Sequence, residues 1–264
     1  MTKEQERARA RRRYERQQAT RAQREVDHGR RMRLVAIITT VLLVVGVAGV
    51  VGSILANSPD DDAAPATTAA GCEQPPTALG TGAQLQLPDK TTAQGKTYVA
   101  TITTNCGDIE LTLDGAKAPQ AVASFVELAR QSYWLNAPCH RLTTDGALKV
   151  LQCGDPTGTG QGAPGYGFGV ENAPADGAYP RGTLAMARTT DPDKGNGGQF
   201  FLVYGDSSLP DANGYSVFGT VTSGLDIVDK IAAAGVAPGG TSPTDGFPAA
   251  PISILAVAVT EKKA

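Results

Sequence analysis

The sequence predicts a mainly β domain, a closed antiparallel barrel of about eight strands capped by two α-helices, preceded by a single transmembrane helix. Three observations lead to this prediction. Short segments alternate apolar and polar residues with a period of two. Only two helical patterns follow the first strands, and they lie far apart, which argues against a parallel α/β sheet. An uncharged run of 22 residues lies near the N-terminus.

The uncharged run, residues 34–55, is long enough to span a bilayer as a helix. Residues 1–33 before it carry 12 Lys and Arg against 5 acids, and Asp60–Asp62 follow it. This asymmetry predicts a cytoplasmic basic tail and an extracytoplasmic body in the cell envelope. A cleaved signal peptide is the alternative, but both the basic head and the apolar run are long for one. The tail is interpreted as a topology signal rather than a nucleic-acid-binding segment.

Residues 56–96 are rich in Ala, Thr, Pro and Gly, and this composition predicts a flexible spacer before a domain at residues 97–264. An even number of cysteines beyond the membrane run indicates disulfides. Zinc is disfavoured because no CxxC occurs and one histidine alone is available, so no metal site is expected. The cysteines are Cys72, Cys106, Cys139 and Cys153.

The elements of the domain can be assigned in order along the chain. The segments "YVATITT" and "DIELTLD" alternate as strands, and "TNCGD" between them favours a hairpin. The segment "APQAVASFVELARQ" predicts the first helix, with Pro119 in its first turn. The segment "GLDIVDKIAAAG" predicts the second helix, which Gly235 terminates. Further strands are expected around residues 140–143, 149–153, 183–187, 199–203 and 216–221, and at "PISILAVAVT".

Two apparent chemical motifs do not fit their usual context. Gly160, Gly162 and Gly165 satisfy GxGxxG, but prolines and glycines follow where a dinucleotide site needs a helix, so a surface loop is predicted. Cys139 and His140 are adjacent, so on a strand they point to opposite faces and cannot form a nucleophile–base pair. No GxSxG nucleophile motif occurs.

The ordered motifs "CHRL", "VLQCGDPTGTG", "RGTLAMA", "GGQFFL" and "YSVFG" resemble the cyclophilins, the barrel-type peptidyl-prolyl isomerases. The resemblance extends from about Tyr98 to Val259. It implies an eight-stranded barrel closed by two helices. It also implies an isomerase that acts on proline-containing polypeptides, needs no cofactor and is monomeric, and the predicted topology places this activity outside the cytoplasm.

The resemblance assigns roles to individual residues. Arg141 matches the catalytic arginine, Gln152 the glutamine that orients it, and Phe201 the floor of the proline pocket. An arginine suits this reaction because its rigid, permanently charged fork can donate to the prolyl nitrogen once the amide twists and loses resonance. Seven further positions match peptide contacts. They are Lys149, Val150, Ala187, Arg188, Gln199, Leu209 and Tyr215.

Lys149 departs from the family pattern, which has Phe at this position. If Lys149 lines the pocket, the chain could be a catalytically weak module that binds proline segments of an envelope partner. The turn "TTDGA" is lengthened, however, so Leu148 could occupy the position instead. A thiol redox protein is a third hypothesis, based on the cysteines alone. A Cys139–Cys153 bridge across neighbouring strands would leave Cys106 for Cys72, although three pairings are possible from the sequence.

Overall fold

The computed structural model describes residues 67–240 and 242–263. The predicted basic tail at residues 1–33 and the predicted transmembrane helix at residues 34–55 lie outside this part of the chain. Among the helices that the model does describe, none combines the length and the apolar character needed to cross a bilayer.

The described domain is mainly β and carries two α-helices. A 3-10 turn, Lys90–Thr92, precedes them. The helices are α1, Pro119–Arg130, and α2, Leu225–Ala234. The strands are β1 Thr97–Thr104, β2 Gly107–Asp114, β3 Ala137–Pro138, β4 Arg141–Asp145, β5 Leu148–Cys153, β6 Ala178–Tyr179, β7 Thr183–Arg188, β8 Asn196–Val203, β9 Ser207–Ser208, β10 Val217–Ser223, β11 Asp245–Gly246 and β12 Ser253–Glu261.

Ten strands form one antiparallel sheet in the order β11-β4-β5-β8-β7-β10-β2-β1-β12-β3, and β6 pairs with β9 separately. The prediction of a closed barrel is wrong, because β11 and β3 at the two edges do not pair with each other. The sheet curls into a half-barrel instead. Pairing with β12 includes Ala137 and Pro138, and the N–H of Cys139 donates to the carbonyl of Ile252 at 2.9 Å, whereas pairing with β5 begins at Arg141. Proline also has no N–H to extend the β3 ladder.

Helix α1 lies on the sheet and buries its apolar face, including Phe125, Val126 and Leu128. Ala118 at its N-cap supplies no side-chain hydrogen bond. The carboxylate of Glu171, from a distant loop, accepts hydrogen bonds from the backbone N–H of Gln120 at 2.9 Å and of Ala121 at 3.0 Å. This carboxylate therefore performs the capping function that the local sequence lacks.

The apolar residues form two clusters with different roles. The larger is the main core, where the ring of Phe125 lies 4.7 Å from Trp134 and 5.6 Å from Phe200. The smaller cluster contains Val150, Tyr179, Ala185, Phe201 and Val203, on the other face of the same strands. Strand alternation thus sends Phe200 to the main core and its neighbour Phe201 to the smaller cluster.

Both disulfides that the sequence favoured are present, Cys72–Cys106 and Cys139–Cys153. The first ties the described part of the predicted spacer, residues 67–96, to the β1–β2 turn. Further along, the N–H of Leu85 donates to the carbonyl of Pro164 at 2.7 Å, and Gln120 donates to the carbonyl of Pro88 at 2.9 Å. Residues 67–96 therefore lie against the domain rather than hanging free of it.

Candidate active site

A cavity of about 440 Å³ opens over the smaller apolar cluster. Strands β4, β5, β7 and β8 form its base, and β11 and the loops after β5 and β9 form its walls. Eight of the ten predicted catalytic and substrate-binding residues line it. They are Arg141, Val150, Gln152, Ala187, Arg188, Phe201, Leu209 and Tyr215.

The floor of the cavity is apolar and closely packed. Phe201 is 4 % exposed, and its ring packs edge-on against Tyr215 with centroids 5.7 Å apart. Leu148 and Val150 line the cavity from β5, two residues apart, because alternate residues of a strand share one face. A buried aromatic ring beside branched aliphatic side chains offers a seat for a small apolar ring such as that of proline.

Arg141 stands at the side of this floor, directly opposite Gln152 in the β4–β5 ladder. Its Nη1 donates to Oε1 of Gln152 at 3.3 Å. Its Nε and Nη2 donate to the two carboxylate oxygens of Asp245, each at 2.8 Å. A guanidinium has five N–H donors, so these three bonds leave two for a ligand in the cavity.

Asp245 is a site residue that sequence reasoning missed. It lies on β11, which pairs with β4 so that Asp245 is opposite Thr143. The hydrogen bonds from Arg141 hold the pKa of Asp245 below its usual value, and the same bonds raise the pKa of Arg141. The pair is therefore ionised throughout the neutral range, and the carboxylate fixes the plane of the guanidinium.

A chain of hydrogen bonds with consistent direction supports Gln152. The Nε2 of Gln152 donates to Oε1 of Gln199 at 2.9 Å and lies 3.3 Å from Nε2 of His140. Gln199 in turn donates to the carbonyls of Gly160 and Gly162, both at 3.0 Å. Burial lowers the pKa of His140 despite the opposing effect of Asp155, so the imidazole is neutral and its Nε2 can accept.

Gln199 does not line the main cavity but a second one of about 430 Å³, which adjoins it at Gln152 and Ala187. The glycine-rich loop after β5 contributes to the lining of both cavities, and it is a surface loop as predicted, with Gly160 at φ 77°. Asp155 anchors this loop by accepting from the N–H and the hydroxyl of Thr157, both at 2.8 Å. Burial raises the pKa of Asp155, but these and other hydrogen bonds outweigh it and leave a net lowering.

The two predicted cationic contacts, Lys149 and Arg188, differ in their position relative to the main cavity. Lys149 does not line the main cavity, because it alternates with Leu148 and Val150 and its side chain lies along Gly205. Leu148, the alternative to Lys149 that the sequence left open, does line the main cavity. Arg188 lines the cavity, but its side chain is 3 % exposed and its guanidinium pairs with Asp211. It therefore adds no free positive charge to the groove.

The guanidinium of Arg188 holds another part of the cavity wall. Besides Asp211, it donates to the carbonyls of Gly214 and Thr189, each at 2.8 Å. Its carbon Cζ lies 4.8 Å from the ring centroid of Tyr215. Arg188 thus ties the loop of Leu209 and Tyr215 to β7.

Comparison with known proteins agrees with this geometry. The family described as "Cyclophilin type peptidyl-prolyl cis-trans isomerase/CLD" matches residues 99–259. The "Probable peptidyl-prolyl cis-trans isomerase B" of Mycobacterium tuberculosis is 42% identical over 208 residues, which cover 73% of this chain and 65% of that protein. The protein of the same name in Mycobacterium leprae is 43% identical over 198 residues, which cover 69% and 64%. The chain thus spans slightly under two thirds of these curated relatives.

A "Peptidyl-prolyl cis-trans isomerase" of Helicobacter pylori is 43% identical over 139 residues, which cover 52% of this chain and 81% of that protein. Among solved structures, a cyclophilin-type isomerase of Cryptosporidium parvum, determined in the presence of the dipeptide Ala-Pro, is similar with a TM-score of 0.50 and 30% identity. That likeness covers 62% of this chain and 99% of the other. The chain belongs to the cyclophilin-type peptidyl-prolyl cis-trans isomerase family.

Proposed function

We propose that this protein is a peptidyl-prolyl cis-trans isomerase whose active site is the cavity of Arg141, Gln152 and Phe201. The observation that carries the proposal is the position of the Arg141 guanidinium. It borders an apolar floor and keeps two donors that no described residue occupies. The named relatives, which are isomerases by description, support the same activity.

The reaction that these residues can perform needs no covalent attack. A prolyl amide resists rotation with a barrier of about 18–20 kcal/mol because resonance gives its C–N bond double-bond character. Twisting the bond returns a lone pair to the nitrogen. A guanidinium N–H of Arg141 donates to that lone pair while the ring rests on Phe201, so the hydrogen bond is made in the transition state and not in the ground state.

The supporting residues define the direction of that donor. Asp245 accepts hydrogen bonds from Nε and Nη2 of the guanidinium, and Gln152 accepts one from Nη1. These three bonds fix the directions of the remaining N–H groups. Gln152 is itself fixed by Gln199 and His140. A donor that is already oriented costs no reorganisation when the amide twists.

The features that suggested the two alternative functions are not found in the described domain. The weak-binding hypothesis depended on Lys149 in the pocket, and Lys149 lies outside it. The redox hypothesis depended on a reactive thiol, and all four cysteines of the sequence are in disulfides.

An exchange NMR measurement on a short alanyl-proline peptide tests the activity. Uncatalysed exchange takes tens to hundreds of seconds, so catalysis by a small amount of the full chain is readily measured. We expect faster exchange with the wild-type chain and a strongly reduced rate with Phe201→Ala, which loses the ring seat. No acceleration at enzyme concentrations comparable to the peptide would refute the proposed activity.

We further propose that residues 34–55 anchor the chain in the cell membrane, with residues 1–33 in the cytoplasm and the domain outside, where it acts on secreted polypeptides as they fold. The charge asymmetry around the apolar run and the presence of two disulfides support this arrangement. Protease added to intact spheroplasts should degrade the domain, and alkaline extraction should leave the chain in the membrane fraction. Release of the intact chain into the soluble fraction would contradict the anchor.

A further inference from the structure

The segment Asp245–Phe247, which we term the lip, forms one wall of the main cavity. It is held on both sides. Gly246 lies opposite Leu142 in the β4–β11 ladder, and the carbonyl of Phe247 accepts from the N–H of Ala237 at 2.7 Å. The lip is therefore a fixed part of the cavity wall.

Phe247 on this lip is unusually exposed for an aromatic residue. The residue is 57% exposed, more than any other large apolar residue in the described part of the chain. Single exposed apolar residues are common on protein surfaces. Leu135, for example, is 53% exposed but lies on a separate small cavity beside Trp134 and Leu255. Phe247 differs because it continues the apolar lining of the candidate active site.

The arrangement of the two cavities distinguishes the two flanks of a bound peptide. They share Gln152, Gly160, Ala187 and Arg188, but the lip belongs to the main cavity alone. Consider a peptide whose proline ring lies on Phe201 and whose chain on one side of the proline passes through the second cavity. On the other side of the proline, the chain leads away from that cavity. Phe247 lines the same cavity without bordering the second one, so it is available to that other flank.

The charges at the lip favour an apolar flank over a charged one. The carboxylate of Asp245 is neutralised by Arg141 through two hydrogen bonds of 2.8 Å, so it does not present a free anion to the peptide. Burying an apolar side chain against an exposed ring beside a neutralised ion pair stabilises the complex. Burying a charged side chain there destabilises the complex, because the charge loses its hydration.

We infer that Phe247 is a specificity-determining residue that selects proline peptides with an apolar side chain, aromatic or aliphatic, at the residue flanking proline on the side away from the second cavity. This inference rests on the proposed isomerase function. It adds to that function a substrate preference that the ring of Phe247 determines. Covering about half of the exposed ring area corresponds to about a three- to tenfold preference over a glycine flank.

The test uses proline tetrapeptides with Gly, Phe, Leu or Lys at each flanking position, and measures kcat/KM by exchange NMR for the full chain. At one of the two flanking positions, we expect kcat/KM for the Phe-flanked peptide to be about three- to tenfold higher than for the Gly-flanked peptide. In Phe247→Ala this ratio should fall toward one. Phe247→Leu should retain part of the ratio and guards against misfolding of the alanine variant. The matched control is Leu135→Ala, which removes a similarly exposed side chain elsewhere and should keep the ratio.

Equal kcat/KM for Gly-flanked and Phe-flanked peptides in the wild type, or an equal loss for all peptides in Phe247→Ala, would overturn the inference. Failure of the proposed function gives a different result, in which the wild type accelerates no peptide. In that event calorimetric titration with the same peptides tests the lip directly. A tighter Kd for the Phe-flanked peptide that Phe247→Ala abolishes supports the inference, and equal Kd values refute it.

Discussion

Replacing Asp245 with asparagine should lower kcat about fivefold, because the guanidinium of Arg141 then loses a bidentate, charged partner. The two bonds are each 2.8 Å, but the side chains are 39% and 43% exposed, so solvent screens the pair. An exposed ion pair is worth at most about 1 kcal/mol, which corresponds to about fivefold in rate. KM should change less than kcat, since the orientation of Arg141 matters most in the twisted state.

The structure provides a close control for this experiment. Asp229 forms the same bidentate pair with Arg181, at 2.8 Å for each bond and with 42% and 47% exposure, away from the cavity. Asp229→Asn should therefore leave kcat unchanged while removing an equivalent ion pair. Asp245→Glu should restore part of the rate. Exchange NMR at saturating peptide measures all three variants, and an unchanged or increased kcat in Asp245→Asn would refute the positioning role.

The dependence of this effect on pH follows from the lowered pKa of Asp245. The stabilisation from its ionised carboxylate is fully present above the unfolded pKa of about 3.9 and is lost only as the pH falls through the lower folded value. The difference between wild type and Asp245→Asn should therefore persist from neutral pH to about pH 4. A difference that disappears at pH 6 would show that another group is responsible.

Three further predictions concern the support of the site. Because burial lowers the pKa of His140, the free energy of unfolding should decrease as the pH falls below about 6.5, where the unfolded chain binds a proton that the folded chain does not. A free energy of unfolding that stays constant from pH 8 to 5 would contradict this. Glu171→Gln should lower the free energy of unfolding, measured in urea, by about 1 kcal/mol, because the helix loses its capping carboxylate. The control Glu110→Gln, at an exposed position, should change the free energy of unfolding less, and equal effects of the two variants would refute the capping role. Replacing both Cys139 and Cys153 by serine should cost about 3 kcal/mol, from a bridge between residues 14 apart, and an unchanged melting temperature would argue against it.

The resemblance to the cyclophilins supplied the site residues, and local pattern predicted part of their arrangement. Alternation along β8 separates Phe200 from Phe201, and the adjacency of β4 and β5 brings Arg141 opposite Gln152. These features depend on neighbours in the same or the next strand, which the sequence displays directly. The same adjacency suggested the observed cysteine pairing, although the sequence left three pairings possible.

The features that the sequence did not predict depend on distant parts of the chain. Asp245 meets Arg141 across 104 residues from a two-residue strand, which is too short to show any alternation. The place of Lys149 depended on the length of the preceding turn, and one residue of register decides which face a strand residue occupies. The two edge strands, β11 and β3, are two residues long, and strands this short leave no alternation in the sequence from which closure could be judged.

The central claim is that Arg141 lowers the barrier to rotation about the prolyl bond, and kcat/KM of Arg141→Ala tests it most directly. Because this change leaves Asp245 without its partner, the double variant Arg141→Ala/Asp245→Ala should be measured beside it. We expect both variants to lose about 100- to 1000-fold in kcat/KM while still folding, as judged by thermal unfolding. Retention of the wild-type rate in a folded Arg141→Ala chain would contradict the claim.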